Sequence, residues 1–494
     1  MIKKLLWPIK RDEWVVFALM FGIVCMINAN FSILRSARNA LVIADKGGSA
    51  AYIPYFELFG TFPASILMTW ALSRLMRIFS LRFIFSATML FFFSFFIIFA
   101  FWIYPQREQI HAMLETKLGL LFGLTRFKVV FTHWPDMIFY IISELWKVAL
   151  LSVLFWGFIN QNLSLEKATR FYPPLMLGSS IGAIIAGPIT VFCTSQFSWD
   201  YFAIAAQRWQ HSLYLLTLFL VVCGCFTLVA FNWLFKKLQI PTSVSLKTDA
   251  KKEPFSRRLL SLSSSLKYLL KSPYLCALAM IVIAEYVSYA LGELIFLDKL
   301  KEVFPTPTAY CRYMGSLTLW TGILTAFSAL VLTPYLLQNY RWSRSALITP
   351  ISMVIMTFAF FSVICFGKAG WLQATSPFNA AVVLGSVHFC MCRSAKYTLF
   401  DATKELAFIP LEQEAQVKGK LIIDGIGSRL GRGTSSFLSI FLFLILGGPG
   451  ESALFAGILA LSFALISIRA TRFIGREFDQ MTPPVSSEKK IAIS

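Results

Sequence analysis

Charged side chains within otherwise apolar stretches are the residues of this sequence that could do chemistry. Placing a charge at the centre of a bilayer costs from about 2.5 to more than 10 kcal/mol, so a charged residue there is a functional candidate. Basic side chains that converge on a cavity suit an anionic solute such as a phosphate chain, because Arg offers a planar fork of donors and Lys a point charge. The basic candidates are Arg35, Arg38, Arg393, Lys396, Lys420 and Arg429.

The acidic candidates have a different expected role. Carboxylates in a membrane interior can pair with the cations while substrate is absent, orient them, or carry a proton. They are Glu57, Glu144, Glu285, Glu293 and Asp424.

Structural interpretations of several charges stay open at the level of the sequence. Lys147 lies three residues after Glu144, and the two could neutralise each other on one helix. Asp424 lies four residues after Lys420 and could act in the same way. Such pairs would hold the fold together without contacting a substrate.

The two arginines of the first apolar stretch have a structural alternative of their own. Arg35 and Arg38 could lie at a helix end and extend toward the membrane interface. Lys and Arg next to a membrane span also commonly set its orientation.

The composition places the chain in a membrane. Of its 494 residues, 57% are hydrophobic and 14% are charged, against roughly 45–50% apolar and 25% charged in a soluble protein. The mean hydropathy is +0.68. Soluble enzymes and nucleic-acid-binding proteins are therefore poor candidates despite the net charge of +20, and we expect a lipid bilayer and no nucleic acid as partners.

Stretches without Asp, Glu, Lys or Arg give the number of predicted spans. A helix needs about 20 apolar residues to cross roughly 30 Å of hydrocarbon. Twelve spans follow, and the shorter stretches become long enough only if their helices include charged neighbours. The stretches are 14–34, 58–73, 83–106, 148–165, 171–199, 212–235, 272–284, 313–340, 345–367, 369–392, 433–450 and 452–468.

The basic connector between spans six and seven divides the chain. Residues 236–271 hold nine basic residues against Asp249 and Glu253, which indicates a cytoplasmic segment. We predict an N-terminal six-helix half at 1–235, a C-terminal half at 272–470 and a cytoplasmic tail at 471–494.

This layout predicts an all-α membrane protein of the major-facilitator type with both termini in the cytoplasm. Two six-helix halves, each made of two inverted three-helix repeats, are typical of secondary transporters. The charged candidates fall mainly on spans one, four, seven and ten, which are the first helices of the four repeats. Shared positions in the repeats indicate a shared role.

Catalytic and metal-binding patterns do not accompany these charges. Neither Cys-x-Cys pair comes with the His or carboxylate residues of a metal site, and no Ser/His/Asp constellation is visible in the sequence. The sequence also lacks a GxxxxGK[ST] phosphate loop. We therefore expect no enzyme, no catalytic residue, no metal and no cofactor, and transport driven by a gradient or by exchange.

Long stretches of the sequence resemble the nucleotide transporters of intracellular bacteria and plastids, the bacterial-type ADP,ATP carrier family. The stretches are SELWKVALLSVLFWGFINQ (143–161), ATRFYPPLMLG (168–178), VIAEYVSYALGELIFLDKLKEVFPTP (282–307) and KYTLFDATKELAFIPLEQEAQVKGKLIIDGIGSRLG (396–431), with LLWPIKRDE (5–13), ILRSARNALV (33–42) and ITPI (348–351). The matches run in order along the whole chain.

The resemblance implies movement of nucleotides across the inner membrane of a bacterium by alternating access. It also implies which charges matter, because the family relies on a basic residue after the first helix, glutamates in the fourth and seventh, and a lysine before the eleventh. The matching positions are Arg38, Glu144, Glu293 and Lys420, where Arg38 replaces a lysine. Arg keeps the charge but changes its shape.

Departures from the family pattern keep other functions open. Glu57 stands where a Lys is common, and Glu285 where a Tyr is usual. We suspect Glu285 first for proton coupling, because burial favours the neutral form of a carboxyl group. Proton-coupled nucleotide symport and exchange of an NAD-type nucleotide are the first alternatives, and a membrane enzyme or a lipid flippase is a rival from another class.

Overall fold

A computed structural model shows the described part of the chain to be almost entirely helical. The described residues are 9, 13–107, 109–110, 133–163, 165–195, 205–238, 269, 271–368, 380–412, 415–416, 419–420, 423 and 427–481. Numbered in chain order, the long helices of this part are α1 Trp14–Ala44, α2 52–75, α3 Leu81–Arg107, α4 134–162, α5 Leu165–Thr194, α6 Ala205–Lys237, α7 Pro273–Val303, α8 Pro307–Asn339, α9 Trp342–Lys368, α10 380–407, α11 Ser428–Leu446 and α12 Pro449–Met481.

Ten helices in the described part of the chain are long and apolar enough to cross a membrane. They correspond to ten of the predicted spans, and the two predicted spans not among them lie in α2 and α10. Residues 369–379, the first part of the tenth predicted span, lie outside the described residues. The all-helical membrane class is confirmed, and the number of twelve spans stays a prediction.

Large apolar side chains are exposed on the outer faces of the helices. Exposure of such side chains to water would be costly, whereas their exposure to lipid is ordinary. Lipid offers no hydrogen-bond partners, so polar groups are the ones that it disfavours. Examples more than half exposed are Phe83, Trp102, Leu218, Trp320 and Phe358.

The chain forms two compact units. Unit 1 comprises Met1–Asp249 and Leu297–Ala326, and unit 2 comprises Ala250–Phe296 and Phe327–Ser494. The predicted division into halves at 235 and 272 stays a prediction, since most of the connector at 236–271 lies outside the described residues.

Helix α1 lies at the centre of unit 1. Gly182 of α5 approaches α1 so closely that a Cβ atom would lie 2.6 Å from the carbonyl oxygen of Cys25. Trp146 of α4 donates its indole N–H to the carbonyl of Ile27 at 3.0 Å. Asn30 donates its side-chain amide to a backbone carbonyl of α6 at 3.1 Å. These contacts fix the first charged helix against three neighbours.

Unit 2 is also held by close approaches between helices. A Cβ atom at Gly457 of α12 would lie 2.6 Å from the ring of Phe361 on α9, and one at Gly431 of α11 would lie 2.6 Å from Cβ of Tyr286 on α7. Trp342 of α9 donates its indole N–H to a carbonyl of α10 at 2.9 Å. Small residues at such crossings let helix backbones pack directly in an apolar solvent.

Four wide, π-helical turns coincide with charged candidates. One begins two residues after Arg38, one contains Glu57, and the other two begin at Lys147 and at Lys396. Turns of this kind are rare, and they often mark functional sites because the extra residue rotates the following side chains. They are Ala40–Ala44, Phe56–Thr61, Lys147–Phe155 and Lys396–Phe400.

The contact of α5 with α1 gives a stability prediction. We expect Gly182→Ala to destabilise the protein by about 1–3 kcal/mol, because the new methyl group would overlap a backbone carbonyl that cannot rotate away. Thermal unfolding in detergent measures the change. Gly157→Ala is the matched control, since a Cβ atom there meets nothing within 4 Å, and it should be neutral or slightly stabilising. Equal melting temperatures for the two variants would contradict the prediction.

Candidate substrate-binding residues in the two units

In unit 1, Arg38 of α1 forms an ion pair with Glu144 of α4. The contact joins Nη1 to Oε1, and the side chains are 6% and 13% exposed. Arg38 lies in the last turn before the wide turn of α1, and Glu144 lies two residues before the Trp146 that anchors α4. Two of the residues that the family resemblance singles out therefore meet across a helix–helix contact.

Tyr140, which the sequence analysis did not single out, contacts two of the candidates. Its ring lies under the guanidinium of Arg38, with 4.4 Å from Cζ to the ring centroid. Its hydroxyl donates to Oε1 of Glu57 on α2 at 3.1 Å. Tyr140 precedes Glu144 by four residues and so shares its helix face, which is the signal that could have identified it.

The ring of Phe31 lies near two of the basic candidates of unit 1. Lys147 lies with its ammonium 5.2 Å from the ring centroid of Phe31, and Arg38 lies 6.0 Å from the same centroid. Arg35 is half-buried on α1. Cation–ring contacts of this kind add to the stabilisation of a charge.

In unit 2, Glu285 of α7 is completely buried. Its Oε1 accepts a hydrogen bond from the Ser467 hydroxyl of α12 at 3.0 Å, and its Oε2 has no hydrogen-bond partner among the described residues. A buried polar atom without a partner is costly and calls for an explanation. A proton or another ligand would satisfy it.

Lys396 of α10 is the buried cation of unit 2. It is 4% exposed, and its ammonium lies 3.2 Å from the ring centroid of Tyr286 and 5.2 Å from that of Tyr289. Lys396 and Glu285 interact electrostatically. Within the described residues the cation thus rests on aromatic faces, whereas Arg38 rests on a carboxylate.

The other predicted residues of unit 2 lie in varied surroundings. Arg393 lies over the rings of Phe389 and Tyr397, with 5.6 and 5.8 Å from Cζ to their centroids. Glu293 and Arg429 are half-buried.

Lys420 is exposed and does not lie with the buried charges of unit 2. It pairs with Glu405 at 2.5 Å, and the two side chains are 52% and 47% exposed. Its possible partner Asp424 lies outside the described residues. The role of Lys420 and the convergence of all basic candidates on one cavity stay predictions.

The sequence analysis missed another buried ion pair, which joins the ends of α1 and α3. Arg107 contacts both carboxylate oxygens of Asp45, with 2.6 Å from Nη2 to Oδ1. Tyr104 donates its hydroxyl to Oδ2 of Asp45 at 3.0 Å and lies under the guanidinium of Arg107. Span counting treats Arg107 as the end of the stretch 83–106, and Asp45 lies between the counted stretches 14–34 and 58–73. The closed network indicates a role in fixing the fold.

Taken together, the buried charges can bind an anion and exchange partners. Arg38 contacts the carboxylate of Glu144 and lies near the rings of Tyr140 and Phe31. The carboxylate can give way to phosphate oxygens, for which a guanidinium has matching donors. Among the described residues, no group of three or more His, Cys, Asp and Glu could hold a metal ion.

Comparison with known proteins gives one family. Residues 1–478 match the family described as TLC ATP/ADP transporter. ADP,ATP carrier protein 1 of Chlamydia trachomatis is 29% identical over 498 residues, which cover 99% of this chain and 93% of that protein. Chloroplastic ADP,ATP carrier protein 2 of Arabidopsis thaliana is 31% identical, with coverage of 94% and 74%.

Solved structures show what fold this chain shares. A nucleoside transporter aligns with a TM-score of 0.60 at 12% identity and covers 94% of this chain and 100% of its own. A D-xylose–proton symporter aligns with a TM-score of 0.57 at 12% identity, covering 93% and 97%. The fold is of the major-facilitator type, as predicted.

The Arg38–Glu144 contact can be tested by a double-mutant cycle. We expect Arg38→Gln and Glu144→Gln each to cost about 3–5 kcal/mol of stability, because each leaves a buried charge without its partner. The double variant should lose clearly less than the sum, since neither charge remains. Unfolding of the four proteins in detergent gives the coupling energy, and additive losses would show that the pair does not stabilise the protein.

Proposed function

The chain belongs to the TLC ATP/ADP transporter family, and from that premise we propose that it exchanges nucleotides, ATP and ADP among them, across the inner membrane of a bacterium by alternating access. It is a multi-pass membrane carrier. Both termini lie in the cytoplasm, and lipid surrounds the exposed apolar faces. The positive charge sets the membrane topology and binds phosphate, and nucleic acid is not a partner.

The observation that carries this proposal is the buried Arg38–Glu144 pair. A phosphate group entering unit 1 competes with Glu144 for Arg38, and Glu144 re-forms the pair when the nucleotide leaves. Either partner alone would leave an uncompensated charge in a medium without water. The carrier therefore favours having phosphate or Glu144 on Arg38, so that entry of one anion is linked to release of the other.

Exchange predicts a requirement for nucleotide on both sides. Proteoliposomes loaded with unlabelled ADP should take up labelled ATP, and empty proteoliposomes should not. Uptake that is equally fast into empty liposomes would contradict exchange. Glu293→Gln, at the position that the family resemblance assigns to coupling, should lose most uptake. Glu302→Gln removes the same charge from an exposed Lys–Glu pair and is the matched control.

Proton-coupled transport is the second candidate, and Glu285 is the observation that favours it. Its free Oε2 and complete burial suit a group that carries a proton, since protonation removes the charge and supplies a donor. The groups that face it are Ser467 of α12 and Lys396 and Cys392 of α10. Arg432 and Asp401 act in turn on Lys396.

A protonophore separates the two candidates. If Glu285 carries a coupling proton, uptake driven by an imposed pH gradient should fall severalfold with the protonophore. Glu285→Gln, which keeps the size and the bond from Ser467, should make the remaining uptake insensitive to it. Wild-type uptake that is unchanged by the protonophore would rule out this second candidate and leave exchange standing.

A further inference from the structure

A cavity of about 660 Å³ lies at the end of α10 in unit 2. Its volume falls within the roughly 300–1,000 Å³ that small-molecule sites occupy. One wall is polar and the rest is mainly apolar, which is the pattern of a site that orients a ligand by a few groups. The lining residues are Leu337, Ala402, Glu405, Leu406, Phe408, Ile409, Gln416 and Lys420.

The charged part of the polar wall is the pair of Glu405 and Lys420, and Lys404 lies next to Glu405 outside the lining. Oε2 of Glu405 contacts the ammonium of Lys420 at 2.5 Å, and Oε1 lies 3.8 Å from the ammonium of Lys404. One carboxylate thus bridges two cations. A phosphate group, which has more oxygens and more charge, can replace a carboxylate in such a bridge.

Two local features fix this wall in place. A Cβ atom at Gly419 would lie 2.8 Å from the side chain of Leu275 on α7, so the backbone that carries Lys420 lies directly against that helix. Gln416 donates its side-chain amide to the carbonyls of Ile409 and Leu411, at 3.1 and 2.9 Å. Gln416 and Gly419 are therefore each held next to the cavity by a specific contact.

We propose that this cavity receives the phosphate end of a nucleotide and that Glu405 is the anion that occupies Lys420 until it arrives. The inference rests on the proposed function. Binding of the nucleotide breaks the Lys420–Glu405 ion pair. Glu405 therefore weakens nucleotide affinity by an amount set by the free energy of that pair. Because the pair is about half exposed, solvent can enter and the exchange of partners has little cost.

Glu405→Gln tests the competition directly. The KM for a nucleoside triphosphate in exchange should fall about two- to fivefold, the range expected when an exposed ion pair no longer competes. The KM for a monophosphate should fall less, since it presents less charge to Lys420. In a Lys420→Ala background only the longer contact of Glu405 with Lys404 remains, so the same change should lower both KM values clearly less than it does when Lys420 is present.

Control variants keep the test specific. Glu302→Gln breaks an exposed Lys–Glu pair elsewhere and should not change either KM. Glu405→Asp keeps the negative charge, so its KM should lie closer to that of the unaltered protein than the KM of Glu405→Gln does. This variant provides a test if Glu405→Gln folds poorly. Detergent-solubilised protein melted with and without ATP gives a second readout of affinity.

The outcomes distinguish this inference from the function on which it rests. An unchanged or raised triphosphate KM in Glu405→Gln, or a fall of the same size in the Lys420→Ala background, overturns the role of Glu405 while exchange by the unaltered protein still stands. Failure of the unaltered protein to exchange any nucleotide would instead overturn the proposed function.

Discussion

A charge in the apolar interior of a membrane protein must find its partner within the protein, because lipid offers none. The described residues meet this constraint in different ways. Arg38 meets Glu144 on a neighbouring helix, and Asp45 meets Arg107. Lys396 lies over the face of Tyr286, where the charge is stabilised without being neutralised.

The kind of partner decides what each charge can do next. A carboxylate can be displaced by another anion, so the Arg38–Glu144 pair suits a step in which phosphate enters and leaves. An aromatic face does not compete for a formal charge, so Lys396 keeps its attraction for nearby anions, Glu285 among them. Asp45 and Arg107 form a closed bidentate pair, and a tyrosine also donates to Asp45. Few donors and acceptors of this pair remain to bind a solute.

Close helix packing makes these pairings possible. Gly182 lets α5 reach the backbone of α1, and Gly431 lets α11 reach Tyr286, whose ring holds Lys396. Wide turns at Arg38, Glu57, Lys147 and Lys396 then rotate the following residues away from the regular helical face. The direction of each charged side chain from its helix and its partner on a neighbouring helix are therefore determined together.

The sequence by itself determined the membrane class, the helical fold and the charges that deserved attention. The composition and the length of apolar stretches reflect the solvent around the chain, and both can be read directly from the sequence. Arg38, Glu144, Glu285 and Lys396 could be found in this way because a charge inside an apolar stretch is visible without a structure.

Only the tertiary structure decided which residues meet. Spacing along one helix suggested partners three or four residues apart, whereas Glu144 pairs with Arg38 of another helix and Lys420 with Glu405, fifteen residues away. Tyr140 and Tyr286 had no signal strong enough to be chosen, since an aromatic residue in an apolar stretch is ordinary. The physical reason is that contacts across helices depend on crossing points and wide turns, and a periodic pattern along a single helix contains neither.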